Sequence, residues 1–181
     1  LADLGDQPER ASLFEKAFAR FREYKWNQGL GSVGLMLGHH LLKQGVLEKA
    51  KESFLLAETA LLADGGRYAH WARAGIASIL FRQGQSAEAL VQVDEIIRTA
   101  DRYSLDLLRE PFGVLEYMLP ILEASGDART ALVQQEAWHL FERRLDAIDD
   151  AAEHGHYQAT MCARWSVLRT PKPAPRCYTT A

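Results

Sequence analysis

The sequence predicts an all-α protein, an α-α superhelix in which antiparallel helix hairpins stack as a solenoid. Four glycines recur at intervals of 40, 39 and 42 residues, at Gly5, Gly45, Gly84 and Gly126. The last three each end an apolar, helix-like run, and an alanine begins another such run shortly after each of them. No stretch alternates apolar and polar residues as a half-buried strand does. Repetition at this spacing is typical of stacked repeats, because one such unit cannot bury its apolar face alone.

Composition limits both the architecture and the range of partners. The 181 residues, 48% of them hydrophobic, suffice for one domain with a sizeable core. The 21 basic and 24 acidic residues are mixed along the chain without a polybasic block, so we expect no direct binding to nucleic acid. The longest apolar stretch, 30–42, is too short to cross a membrane, and no signal peptide is visible. We therefore expect a cytoplasmic chain, and its start at Leu1 favours a segment of a larger protein.

Capping and breaking residues set the boundaries of the first five predicted helices. Asp6 followed by Pro8 gives the order that a helix start prefers. Gly45 and Gly84 end the second and fourth helices, and the glycine-containing run 64–66 ends the third. The predicted spans are 8–26, 30–44, 46–63, 68–83 and 86–100.

The C-terminal half is predicted to hold three further helices. Pro111 suits the first turn of the sixth helix, and Pro120 is expected to kink it. Gly155 is expected to separate the long seventh helix from the last one. The predicted spans are 112–124, 128–153 and 155–168, and the stretch 102–110 fits either a short helix or a loop.

These elements predict one helical repeat domain, 1–168, followed by an extended proline-rich tail, 169–181. The last helix would cap the stack, since a solenoid needs a terminal unit with a polar outer face. The domain divides into a partial repeat 5–27, repeats 30–66, 67–104 and 111–153, and the capping helix 155–168.

The second and third predicted helices share a spacing of small and bulky residues. The positions concerned are Leu37, Gly38, Leu41, Gly45, Ala50, Phe54 and Ala57. This pattern resembles the tetratricopeptide repeat, whose consensus is W-x2-L-G-x2-Y followed by A-x3-F. Gly38 and Ala50 would let two antiparallel helices approach, and Phe54 would fill the layer against the next repeat. Gly34 stands where the consensus has tryptophan, and a period of about 40 residues is similar to that of long-repeat variants in bacterial regulatory proteins.

The resemblance implies that the first helix of each hairpin lines a concave groove. The implied lining is Leu35, His39, Leu42 and Lys43, then Trp71, Ala74, Ser78, Phe81 and Arg82, then Glu116 and Glu123. Such a mixture suits a peptide, a protein segment or a small effector, although the same residues can simply pack or face water. Lys43 and Arg82 are expected to point into the groove near His39 and Trp71, forming a basic centre with an aromatic wall. Arginine binds carboxylates through two parallel hydrogen bonds, so we expect a carboxylate-bearing partner.

Motifs of catalysis and metal binding are missing from the sequence. We find no G-x-S-x-G, no H-E-x-x-H and no phosphate-binding glycine loop, so we expect no enzyme. His154, His156 and Cys162 lack a fourth ligand, and we expect neither a metal ion nor another cofactor. Cys162 and Cys177 can form a disulfide or remain reduced, and the sequence leaves both open.

The sequence thus predicts a non-enzymatic interaction or effector-sensing module of a larger bacterial signalling or transcription regulator. Its expected partner is a protein or peptide held in the concave groove. The alternative is a stand-alone scaffold or assembly factor that forms oligomers, in the simplest case a homodimer, through the long helix 128–153.

Overall fold

The computed structural model describes residues 8–63, 66, 68–103, 111–165 and 168, and these contain eight α-helices and no strand. The helices are α1 Pro8–Glu23, α2 Asn27–Lys43, α3 Leu47–Leu62, α4 Ala69–Arg82, α5 Ser86–Tyr103, α6 Pro111–Ala124, α7 Thr130–Asp146 and α8 Ala151–Arg164. Consecutive helices pack on each other as hairpins, and α4 also packs on α2 and α6. The predicted all-α superhelix of stacked hairpins is therefore confirmed.

Three of the repeated glycines lie in the turns inside hairpins, as predicted. Gly45, Gly84 and Gly126 have φ values of 76°, 80° and 63°, in the left-handed region that costs glycine no steric strain. The residue after each glycine donates its backbone N–H to the carbonyl five residues earlier, the bond that defines a Schellman motif. These bonds are Val46 to Leu41 at 3.0 Å, Gln85 to Leu80 at 2.9 Å and Asp127 to Leu122 at 3.0 Å. The fourth glycine of the series, Gly5, lies outside the described residues.

The turn between α1 and α2 has the same geometry without a glycine. Lys25 takes a φ of 50° there, and Trp26 donates its N–H to the carbonyl of Phe21 at 2.9 Å. The two aromatic rings meet edge to face with centroids 4.9 Å apart, which is the apolar contact that often accompanies this motif. Consequently α1 ends at Glu23 and α2 begins at Asn27, earlier than the predicted boundaries.

Small residues allow the close helix contacts around Phe54, as expected. Its side chain is fully buried, and so are those of Ala50 and Ala89. A Cβ atom added to Gly38 on α2 would lie 2.8 Å from the Phe54 ring, and one added to Gly75 on α4 would lie 2.6 Å from it. The ring therefore fills the layer between α2, α3 and α4, where the repeat pattern placed it.

The C-terminal helices differ from their predicted boundaries. The single helix expected over 128–153 is two helices, α7 and α8, and the break lies at 147–150. Asp150 accepts hydrogen bonds from the backbone N–H groups of Ala152 and Glu153, both at 2.9 Å, and so caps α8. Gly155 lies inside α8 and does not interrupt it, because an exposed glycine costs a helix only about 1 kcal/mol. The capping helix thus begins at residue 151 and not at 155.

The remaining expectations concern prolines and the tail. Pro111 begins α6, and the helix continues through the exposed Pro120 to Ala124. Residues 104–110, which include most of the ambiguous stretch, and the tail 169–181 lie outside the described residues. Across the described helices, none is at once long enough and apolar enough to span a membrane.

Candidate functional site

A hydrogen-bonded pair of side chains joins the second helix to the sixth. Nδ1 of His39 on α2 and the hydroxyl of Tyr117 on α6 share a hydrogen bond, with ring centroids 5.9 Å apart. The two residues are 78 positions apart in the chain, and α4 packs against both of their helices. The hydrogen bond therefore joins two helices that both pack on α4, at the surface where the repeat pattern implies a concave groove. We call this the concave face and define its centre by His39, Lys43, Arg82, Glu116 and Tyr117.

The surroundings keep both members of the pair neutral. Burial, and after it the positive charges of Lys43, Arg164 and His40 in that order, together lower the pKa of His39 to about 4. Burial also raises the pKa of Tyr117 well above its usual range, with Arg82 opposing the rise and Glu116 adding to it. At pH 7 the pair is thus a neutral hydrogen-bonding group among charged neighbours.

Three cations from three helices act on this neutral pair. Lys43 ends α2, Arg82 ends α4 and Arg164 ends α8. Nη1 of Arg82 donates to the backbone carbonyl of Leu42 at 3.1 Å, which joins the ends of α2 and α4. The charges of Lys43 and Arg164 reach His39, and that of Arg82 reaches Tyr117.

None of these three cations forms an ion pair with a carboxylate in the described part of the chain. Other arginines are neutralised locally. Arg73 on α4 lies 2.7 Å from Glu58, and Arg129 lies 2.7 Å from Asp94. Among the described residues, the charges of Lys43, Arg82 and Arg164 are thus not neutralised by an ion pair.

Four of the predicted lining residues lie in the core, because α2 and α4 pack on neighbouring helices on more than one side. These buried residues are Leu35, Leu42, Ala74 and Ser78. They support the concave face from below and do not line an open groove. Four other predicted lining residues are at least partly exposed, namely His39, Lys43, Arg82 and Glu116. Lys43 acts electrostatically on His39, and Arg82 and Glu116 act on its hydrogen-bond partner Tyr117.

Trp71 and Arg82, which the sequence analysis grouped in one basic centre, lie at opposite ends of α4. Trp71 lies in the first turn of α4, eleven residues before Arg82, which corresponds to about 16 Å along a helix. Its indole packs instead on α6, where a Cβ added to Gly113 would lie 2.6 Å from it. Tyr117 provides the aromatic ring next to His39. The repeat alignment selected Glu116 on α6 and so missed its neighbour.

His154, His156 and Cys162 were considered in the sequence analysis as an incomplete set of metal ligands. Among the described residues, no three or more His, Cys, Asp or Glu side chains come together in a way that could hold a metal ion. Cys162 is half-buried, packs against the core and forms no disulfide with another described residue. Cys177 lies beyond the described residues, so the pairing of the two cysteines stays open.

Comparisons of the chain with protein-family models, with curated proteins and with solved structures give no match. The cations without an ion pair among the described residues supply attraction for an anion, and the neutral histidine–tyrosine pair adds polar atoms beside them. This combination suits the binding of a negatively charged group.

Proposed function

We propose that this chain is a non-enzymatic, cytoplasmic interaction module of a bacterial regulatory protein, and that its concave face binds an acidic peptide or protein segment. The observation that carries the proposal is that Lys43 and Arg82 act on the His39–Tyr117 pair, while neither forms an ion pair with a carboxylate among the described residues. Stacked helical repeats present extended concave surfaces, and such surfaces commonly serve binding. The residue pattern that resembles the tetratricopeptide repeat also supports a binding function.

The two central cations differ in how they would hold a carboxylate. Arg82 uses one guanidinium nitrogen on the carbonyl of Leu42, which restrains the side chain and leaves further N–H donors for a ligand. Lys43 is exposed at the end of α2 and offers a compact charge on a flexible stem. A hydrogen bond to a charged group contributes about 1.5–3 kcal/mol, so two such contacts would matter for affinity.

A charge-reversal experiment tests the proposal. The probe is a fluorescein-labelled hexaglutamate peptide, compared by fluorescence polarisation with a hexaglutamine peptide that carries the same label. The variant Lys43→Glu with Arg82→Glu should bind hexaglutamate at least about tenfold more weakly, because two attractive charges become repulsive. Far-ultraviolet circular dichroism should remain unchanged, since both side chains are exposed.

The matched control is Lys16→Glu with Arg20→Glu, which makes the same change of charge at two exposed positions on α1. This control should keep the affinity of the wild-type protein within about twofold, because screened charges far from a site act weakly. Equal losses in the two double variants would mean that net charge alone, and not the concave face, governs binding.

The scaffold alternative required one continuous helix over 128–153 for oligomerisation. The chain breaks between α7 and α8 at 147–150, so that helix does not exist as a single surface. No observation favours this second function, and we retain the interaction module.

A further inference from the structure

The phenol of Tyr117 is fixed in the core, and its hydroxyl meets the imidazole of His39. Tyr117 is only 8% exposed, and its ring packs edge to face on the fully buried Phe54 with centroids 6.2 Å apart. Within the described part of the chain, the hydroxyl has one hydrogen-bond partner, Nδ1 of His39. His39 itself is only half-buried, so part of its imidazole reaches the surface.

This hydrogen bond has two possible directions, and burial selects one of them. A tyrosine hydroxyl has one hydrogen to donate, whereas a neutral imidazole donates from one nitrogen and accepts at the other. If Nδ1 of His39 donated, the hydroxyl hydrogen of the buried Tyr117 would have no acceptor among the described residues, which is unfavourable. If the hydroxyl donates to Nδ1, both groups are satisfied. The imidazole proton then lies on Nε2.

The other ring nitrogen of His39, Nε2, diverges from Nδ1 and so points away from Tyr117. No described residue forms a hydrogen bond with it, and it is not one of the buried polar atoms that lack a partner. It therefore lies at the surface. Lys43 follows His39 by four residues on α2, so the two side chains share a helix face. Arg82 donates to the carbonyl of Leu42 at 3.1 Å and thus lies at the same end of α2.

We infer that Tyr117 fixes His39 as the tautomer protonated on Nε2, and that this N–H donates a hydrogen bond to a carboxylate oxygen of the ligand. Tyr117 is then a positioning residue, because it acts through His39. Lys43 supplies charge on a flexible stem, whereas the N–H of a restrained ring supplies direction. The ligand role rests on the proposed function. The tautomer does not, because it can be measured in the free protein.

The first arm of the test determines which nitrogen of His39 carries the proton, by long-range proton–nitrogen correlation NMR of the free protein at pH 7. Nε2 should be protonated, and Nδ1 should be an unprotonated acceptor. His156, exposed on α8, is the internal control and should show the averaged signals of both tautomers. Tyr117→Phe keeps the ring and should move the Nδ1 resonance, because the acceptor loses its donor. A proton on Nδ1 in the wild-type protein, or an unmoved Nδ1 resonance in Tyr117→Phe, would overturn the assignment.

The second arm uses the hexaglutamate probe. His39→Leu should bind it about tenfold more weakly than the wild-type protein, because a hydrogen bond to a charged group is lost. His39→Gln should recover most of this loss, since the glutamine amide again offers N–H donors. If His39→Leu does not fold, the wild-type protein gives the same answer: saturating hexaglutamate should move the Nε2 resonance, and hexaglutamine should not.

The outcomes separate this inference from the proposed function. Wild-type affinity in His39→Leu, or an Nε2 resonance that stays in place while hexaglutamate binds, would overturn the ligand role of His39 and leave the proposed function standing. If the wild-type protein does not bind hexaglutamate, the proposed function and the ligand role fail together. The tautomer of His39 is then decided by the first arm alone.

Discussion

His39 is kept neutral by its position, and this has a consequence for stability. A buried histidine whose pKa lies at about 4 in the folded state takes up a proton more readily in the unfolded state, near 6.5. Between these two values the unfolded chain binds more protons than the folded one. The contribution of His39 to folding is therefore complete above pH 6.5 and is lost as the pH falls towards 4.

The first prediction concerns this pH dependence. Between pH 7 and pH 4.5 the free energy of unfolding should fall by an amount on the order of 2–3 kcal/mol through His39 alone. The variant His39→Gln, which does not titrate, should show a correspondingly smaller fall. Urea unfolding at both pH values measures the two differences. Parallel losses in both proteins would show that His39 is not held neutral by the fold.

A second prediction arises from Lys25, which takes the left-handed conformation that glycine has in the other hairpin turns. That conformation costs a non-glycine residue roughly 1–2 kcal/mol, whereas glycine loses about 0.5–1 kcal/mol through its greater freedom when unfolded. Lys25→Gly should therefore raise the free energy of unfolding by up to about 1 kcal/mol.

The control for Lys25→Gly is Lys16→Gly, in the middle of α1, where the same change should lower stability by about 1 kcal/mol. Thermal melts of the two variants should shift in opposite directions. A lower melting temperature for Lys25→Gly would contradict the assignment of this turn to the same motif as the others.

At the scale of helices, the hairpins depend on small residues at close contacts. Ala50 on α3 has no exposed surface, and Phe54 one turn later fills the layer that Gly38 and Gly75 leave open. A side chain larger than glycine at Gly38 or Gly75 would collide with the Phe54 ring. Helix pairing in this fold is therefore more sensitive to added volume than to lost polarity.

The third prediction follows directly. Ala50→Leu should destabilise the protein by about 1–3 kcal/mol, because three extra carbon atoms must displace well-packed neighbours. Ala131→Leu, at an exposed position on α7, makes the same change without overpacking and should alter stability by less than about 0.5 kcal/mol. Chemical denaturation of both variants measures the difference. Equal stabilities would count against the alignment of Ala50 with the helix contact.

At the scale of the whole molecule, the sequence predicts the stacking of helices better than it predicts the site. The hairpin turns at Gly45, Gly84 and Gly126 can be predicted because their left-handed backbone conformation strongly favours glycine. The turn at Lys25 has the same conformation but no glycine, so the sequence does not indicate it. The small residues that pack beside Phe54 are likewise recognisable from their spacing in the sequence. Local chemistry of this kind is visible in the chain itself.

The site depends on long-range geometry that repeat spacing does not contain. The alignment placed Trp71 with Arg82 because both lie on one helix, but they occupy opposite ends of it. Tyr117 was missed for a different reason, because its hydrogen bond to His39 joins α6 to α2 across 78 positions of the chain.

The measurement that tests the central claim most directly is the pKa of His39 with and without saturating hexaglutamate. An anion held by Lys43 and Arg82 would offset the positive charges that lower this pKa, so the NMR titration should shift to higher pH. Hexaglutamine at the same concentration should leave the titration unchanged. If hexaglutamate binds and the pKa of His39 stays at about 4, the peptide lies elsewhere, and the concave face is not the binding site.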